Sequence, residues 1–330
     1  MVLPAVPSVR LTKRHLFAVK ALLAVVALGL LVWTAKPSEV LAKLVEARPG
    51  WVLAALLLMP VNVGLETLRW WRLVRHVAPE VRFRDALVAV VGSYPLGLLT
   101  PGRVGDYVGR ALYVRELEPG ASAALTFGER MATLAACLVA GMLALGPYLS
   151  AHAAPSPLWP ALVAATALGT GALLAAILFP RLGRFAVETL IPIGAVRRAV
   201  GAFGQIPQGE AAMLVGLSML RYVVFSSQFV LLVLAFAPGA SAPGIALGVA
   251  LTYYAKSAIP QVTLGDLGVR ESVAVFFLGA YGVAPAAALN GSLAIFAVNL
   301  LLPALMGVPL LLRLRLRRDT RPDAEPVATA

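Results

Sequence analysis

The chain has 330 residues, of which 60% are hydrophobic and 13% charged, with a mean hydropathy of +0.85. That composition excludes a soluble globular domain and describes an integral membrane protein. The net charge of +12 does not imply nucleic acid, because the basic residues cluster between apolar runs and no aromatic interleaving marks a base-stacking face.

Arg10, Lys13 and Arg14 precede an apolar run over residues 16–34. The run is longer than a signal-peptide core, and cleavage after Ala35 would put bulky Trp33 at the minus-three position, so a retained first span is expected. Further spans are expected at residues 51–68, 122–149, 158–179, 211–236 and 285–312, each near the roughly 20 residues that a crossing needs.

Between these spans lie two apolar stretches that break. The first starts near Arg84, and its apolar part, residues 86–99, would be roughly 21 Å long as a helix, short of the roughly 30 Å hydrocarbon core. It breaks at Thr100, Pro101 and Gly102, then resumes with Arg103, Asp106, Arg110 and Arg115. The pattern returns 160 positions later: Gly105 and Asp106 fall on Gly265 and Asp266, Tyr94 on Tyr254 and Arg110 on Arg270, with Pro260 at the second break. Such a duplication in a polytopic chain points to a transporter with paired broken helices. Two ordinary helices kinked at Pro101 and Pro260 would be the plainer arrangement. Gly102, Gly105, Gly265 and Gly268 beside the prolines are more punctuation than a kink requires.

The fold expected is therefore all-α and polytopic, with about six full crossings and two re-entrant hairpins, at about 84–117 and 244–282. Basic residues before the first span, after the second (Arg69, Arg72, Arg75, Arg82, Arg84), after the fourth (Arg181, Arg184, Arg197, Arg198) and in the tail are cytoplasmic by the positive-inside rule. Both termini are then inside, in a cell inner (plasma) membrane. Residues 1–15 form a cytoplasmic N-terminus, 16–312 one membrane domain, and 313–330 a basic, then disordered, tail. Three crossings between the hairpins invert the second relative to the first.

Cys137 is the only cysteine and sits in an apolar run, where a buried small side chain is expected. His15, His76 and His152 fit no metal spacing, and no metal or cofactor is assigned.

Charges at membrane depth are costly and point to a shared polar cavity. They include Glu66, Glu129 and Arg130, and the candidate substrate site is drawn from Arg103, Asp106, Arg110, Arg221, Lys256, Asp266, Arg270 and Glu271. Asp106 and Arg110 are four apart, as are Asp266 and Arg270, so each pair shares a helix face and can pair locally. Alternatively, helix starts at Gly105 and Gly265 offer N–H groups to a phosphate, the arginines and Lys256 add charge-assisted bonds, and the aspartates cap the helices or hold the arginines. Arg221 faces the cavity or pairs with Glu66 or Glu129. Tyr94, Tyr253 and Tyr254 line the hairpins or pack. Gly105 and Gly109 have the small-xxx-small spacing of close helix packing.

The tracts TPGRVGDYVGR and LGDLGVRESVAVFFLGAYGV, with LRWWRLVR before the first hairpin, resemble the lysylphosphatidylglycerol synthase transmembrane-region family, also called flippase-like domain proteins. The resemblance runs from about Trp51 to Leu312. It implies a membrane protein that moves a lipid with a polar head group between leaflets: an anionic or aminoacylated phospholipid, or a polyprenyl phosphate. The chain ends at Ala330 without a synthase domain, so it is not expected to be an enzyme. Thr263, Leu264, Gly265 and Asp266 depart from the Pro-Gly-Gly run of many members. Two alternatives stand beside a translocase: a noncatalytic partner that feeds lipid to a synthase or glycosyltransferase, and an intramembrane transferase with Asp106 or Asp266 as base. A homo-oligomer is compatible with each.

Overall fold

The computed structural model describes residues 38, 45–114, 116–152, 156–190, 206–259 and 268–319. The expected span at 16–34, the second break with Pro260, Gly265 and Asp266, and the tail after residue 319 lie outside them. All regular structure among the described residues is helical. In chain order the helices are α1 (Pro49–Val74), α2 (Phe83–Leu98), α3 (Val104–Tyr113), α4 (Pro119–His152), α5 (Leu158–Leu178), α6 (Pro180–Leu190), α7 (Gln208–Phe236), α8 (Ala242–Ala258), α9 (Val269–Ala280), α10 (Pro285–Phe296) and α11 (Leu302–Asp319). A 3-10 turn at Pro101–Arg103 joins α2 to α3, and a π-helical segment, Ala297–Leu301, joins α10 to α11.

Five of these helical runs are long and apolar enough to cross a membrane: α1, α4, α5, α7 and the continuous run Pro285–Arg313. They coincide with five of the six expected spans. One boundary moves with consequence. The second span does not stop at Leu68; α1 continues to Val74 and carries Arg69 inside, 1% exposed, where the loop reading had put it on the cytoplasmic surface.

The break in the first stretch has a local cause. Gly102 and Arg103 both adopt left-handed backbone, with φ of 61° and 54°, which ends α2 and turns the chain back. Thr100 secures the turn: its hydroxyl donates to the Leu96 carbonyl at 2.8 Å and accepts the Gly105 N–H at 2.7 Å. α3 then packs along α2, with Gly105 over the Leu96 carbonyl and Gly109 over Ser93, so the glycine spacing serves packing within the hairpin. α8 and α9 pack on one another in the same way. Gly268, at φ 88°, starts α9.

The packing of the two hairpins is alike in part. The first arms, α2 and α8, end at Leu98 and Ala258, 160 positions apart, and α1 lies along α7, the helix that precedes the other hairpin. The trailing helices are exchanged: α4 packs on α8, and α11 on α2. Each exchange is made at a glycine. Gly141 of α4 receives the Tyr254 side chain, and Gly307 of α11 lies on the Val91 carbonyl and Pro95. Pro95 has no N–H to give the Val91 carbonyl, so the α-helical bond is missing where Gly307 approaches. Among the described residues, three helices long and apolar enough to cross a membrane, α4, α5 and α7, lie between the hairpins, the number that an inverted pair requires.

The buried core divides accordingly. One cluster joins Trp70, Leu73, Val90, Tyr94 and Leu125 under the first hairpin. The other joins Phe229, Leu232, Ile245, Leu278 and Ile295 under the second. α5 stands apart, with only Thr170 and Ile177 buried and Leu158, Leu162 and Leu168 turned outward, as a helix facing lipid along most of its surface.

Candidate functional site

Along α1, Asn62, Glu66 and Arg69 recur at i, i+4 and i+7, which puts them on one helix face. Arg69 and the two arginines from α3 and α7 alternate with two carboxylates in a single buried chain. Arg69 Nη2 meets Glu129 Oε1 at 2.6 Å, and Glu129 Oε2 meets Arg110 Nη1 at 2.5 Å. Arg110 Nη2 meets Glu66 Oε1 at 2.6 Å, and Glu66 Oε2 meets Arg221 Nη2 at 2.5 Å. Tyr94 donates to Glu66 Oε2 at 2.9 Å, while Arg69 Nη1 donates to the hydroxyls of Thr133 and Ser218 at 2.8 and 2.7 Å. The order Arg69, Glu129, Arg110, Glu66, Arg221 ties four helices, α1, α3, α4 and α7, and every carboxylate oxygen in it is used. In low dielectric such a chain holds only if each charge keeps its partner.

A second cluster sits at the start of α3. Asp106 forms an ion pair with Arg103 at 2.8 Å and accepts a hydrogen bond from Arg130 of α4. Glu129 and Arg130 are adjacent and turn opposite ways, one into the buried chain and the other toward Asp106. The local pair expected between Asp106 and Arg110 is not formed, because α3 is packed between partners on other helices that reach both residues. Nor does Asp106 cap α3, a role taken by Thr100.

The third cluster is on α9. Arg270 bonds the carboxylate of Glu271, and its Nε donates to Ser292 Oγ of α10 at 3.1 Å; its guanidinium lies over Phe296 at 5.5 Å. Glu271 also accepts the Gly268 N–H at 2.8 Å, closing the first turn of α9. That helix starts at Val269, beyond the expected start at Gly265.

Between the hairpins is a cavity of about 480 Å³. α3 contributes Tyr107 beside the turn residues Gly102 and Arg103; α8 contributes Tyr253, Lys256 and Ser257; α9 contributes Arg270. Six basic side chains line it (Arg69, Arg103, Arg130, Arg221, Lys256 and Arg270) against two acidic ones, Glu66 and Glu129. Counting also Arg110, Asp106 and Glu271, which pair with these residues from behind, seven cations stand against four carboxylates among the described residues, so the site carries excess positive charge. Of the residues expected at a site, Arg103, Arg221, Lys256 and Arg270 line the cavity. Arg110 and Asp106 lie behind it as partners of lining residues, Glu271 supports Arg270, and Asp266 lies outside the described residues. Tyr94 is buried on Glu66, Tyr253 lines the cavity, and Tyr254 donates to Thr166 of α5 at 2.9 Å. Cys137 is buried and borders the cavity.

Sequence reasoning missed Asn62, Arg69 and Asn299 as lining residues. The spacing of Asn62, Glu66 and Arg69 would have found two of them. Asn299, in the π-helical segment, has no such companion.

No curated protein matches the chain. The family profile described as lysylphosphatidylglycerol synthase TM region matches residues 17–307, a stretch that includes both hairpins, the buried ionic chain and the cavity. The chain belongs to the lysylphosphatidylglycerol synthase TM region family, and is a multi-pass membrane protein.

Proposed function

We propose that this protein moves a phosphate-bearing membrane lipid between leaflets, its head group passing through the basic cavity while the acyl or prenyl tails stay in the bilayer. The family relates the chain to membrane lipids. The observation that carries the finer reading is the charge balance at the cavity: among the described residues, the six basic and two acidic lining side chains, taken with their partners Arg110, Asp106 and Glu271 behind the wall, set seven cations against four carboxylates around a space of about 480 Å³ between two hairpins. A cavity of that volume is in the range of small-molecule sites. Its surplus cations need an anion, and guanidinium groups with a neighbouring lysine suit phosphate oxygens.

In this reading the lipid is carried without chemical change. Of the two carboxylates that a transferase would use, Asp106 is paired with Arg103 and Arg130, and Asp266 lies outside the described residues. The arginine-rich loop at residues 75–84 is cytoplasmic and the membrane is the cell inner membrane.

The test is leaflet exchange in liposomes with labelled phosphatidylglycerol and lysylphosphatidylglycerol, wild type beside Arg270→Ala. Movement is expected with the wild type and a loss of at least tenfold with the variant, whose fold is checked by its melting temperature. No movement of either lipid by folded wild-type protein would overturn the translocase and favour a partner that delivers lipid to a separate synthase or glycosyltransferase.

A further inference from the structure

One wall of the cavity is polar but uncharged. Gln228 of α7 is wholly buried, and its Nε2 donates to the Ala55 carbonyl of α1 at 2.9 Å. A backbone carbonyl can only accept, so this bond fixes which way the Gln228 amide points. Its Oε1 then accepts from Asn299 Nδ2 at 3.0 Å, which fixes the second amide in turn. The Asn299 carbonyl oxygen is left buried with no partner, on a residue that lines the cavity.

Asn62 repeats this. It lies seven residues after Ala55 on the same face of α1, is 2% exposed, lines the cavity, and its Oδ1 also has no partner. Two buried amide oxygens without donors are costly unless a ligand supplies the hydrogens. Asn299 belongs to a π-helical segment, a distortion often found at functional sites.

The acceptors stand close to the cations. Arg270 lies over Phe296, and Asn299 follows three residues later on the same helical run, about one turn away. A head group with its phosphate on Arg270 would therefore extend toward Asn299, while Asn62 lines the same cavity one turn before Glu66, the partner of Arg221. What the two amides call for is a hydrogen-bond donor. A neutral amide oxygen suits a hydroxyl. Among the described residues, both oxygens of Glu66, Glu129 and Glu271 are bonded, and Asp106, behind the cavity, pairs with Arg103 and Arg130 through Oδ2 while its Oδ1 lies against Gly97 of α2.

We infer that the cavity selects a phosphodiester lipid whose head group carries free hydroxyls, with the phosphate on Arg270 and its basic neighbours and the hydroxyls on Asn62 and Asn299. This rests on the cavity being the lipid site proposed above, and it adds which head group the site prefers. The same chemistry is offered by a glycerol head group and by a sugar linked through phosphate to a polyprenol.

The experiment is lipid binding to the purified full chain in detergent, read as the rise in melting temperature with added lipid, so that it does not depend on transport. Three phospholipids are compared: phosphatidylglycerol, phosphatidylpropanol, which has the same phosphodiester without hydroxyls, and lysylphosphatidylglycerol, which adds ammonium groups. The wild type is expected to bind phosphatidylglycerol about tenfold or more tightly than phosphatidylpropanol, because a lost donor strands a buried acceptor. Asn62→Leu should retain phosphatidylpropanol binding and lose that preference; its lipid-free melting temperature should not fall, since the amide oxygen removed had no partner. Asn299→Leu is expected to do the same with some loss of stability through Gln228. Arg270→Ala should weaken both lipids alike. A hexosyl phosphopolyprenol bound more tightly than phosphatidylglycerol would assign the hydroxyls to a sugar. Equal wild-type affinity for phosphatidylglycerol and phosphatidylpropanol, tighter binding of lysylphosphatidylglycerol than of phosphatidylglycerol, or an unchanged preference in both asparagine variants would overturn the inference. Absence of any lipid binding by folded protein would overturn the lipid site as well. Binding with the expected preference but no leaflet exchange would overturn only the translocase.

Discussion

Arg110 and Arg270 align 160 positions apart in the sequence but not in their helices: Arg110 is the seventh residue of α3 and Arg270 the second of α9, and only Arg270 borders the cavity. Arg110 ends on Glu66 and Glu129, carboxylates from two other helices, and its side chain is 1% exposed. Arg270 ends on its own neighbour, Glu271, and on Ser292. One arginine is thus a strut and the other a wall. Arg110→Met should destabilise the protein by about 3–5 kcal/mol, the cost of stranding a buried charge, and be visible as a large fall in melting temperature. Arg270→Ala should keep most of the stability and lose lipid exchange. The reverse pattern would mean that the roles are misassigned.

The buried ionic chain acts as a coupled unit. Glu66→Gln leaves Arg110 and Arg221 facing an amide, whereas Glu66→Gln with Arg221→Gln removes one charge of each sign. The double variant is expected to recover part of the single-variant loss, with a coupling of about 0.5–3 kcal/mol in a thermodynamic cycle of unfolding. Strict additivity would show the two residues to be independent.

The hairpin arms can be prised apart by single methyl groups. At Gly109 an added Cβ would meet Ser93 Cβ at 2.7 Å, and at Gly105 it would run into the Leu96 backbone carbonyl, which cannot swing away. Gly105→Ala should cost about 1–3 kcal/mol by overpacking. Gly120→Ala, at the start of α4 with nothing within 4 Å of the new methyl, should be neutral and serves as the control.

Inversion of the hairpins has a direct test. Glu80 precedes α2 and Gly239 precedes α8, and both are exposed. In a Cys137→Ala background, Glu80→Cys and Gly239→Cys should react with a membrane-impermeant thiol reagent from opposite faces. Glu80→Cys is expected to react from the cytoplasmic side, in inside-out vesicles alone. Labelling of both from one face would remove the inverted repeat.

Five spans and the break that ends α2 could be read from apolar runs and their punctuation, because hydrophobic length and glycine–proline breaks are local properties. The partners of the charges could not. Asp106 lies four residues before Arg110, but it bonds Arg130, 24 positions away, while Arg110 reaches 19 and 44 positions to its carboxylates. Those pairings are set by which helices touch. Arg69 shows the opposite failure: a run judged to end at Leu68 made it a loop charge, although α1 continues past it and the polar face that begins at Asn62 includes it. Asn299 carries no periodic signal at all, and its importance arises from a chain of amide bonds that begins on another helix.

The reach of the ionic chain along the sequence also bears on how the protein is made. Glu66 and Arg221 are 155 residues apart. At about 5–20 residues per second, Arg221 leaves the ribosome roughly 8–30 s after Glu66. Throughout that interval α1 lacks the last cation of its carboxylate and cannot settle into its final surroundings. The first half of the nascent chain must therefore stay adjustable until α7 arrives, so the membrane assembly of this protein is finished from its second half.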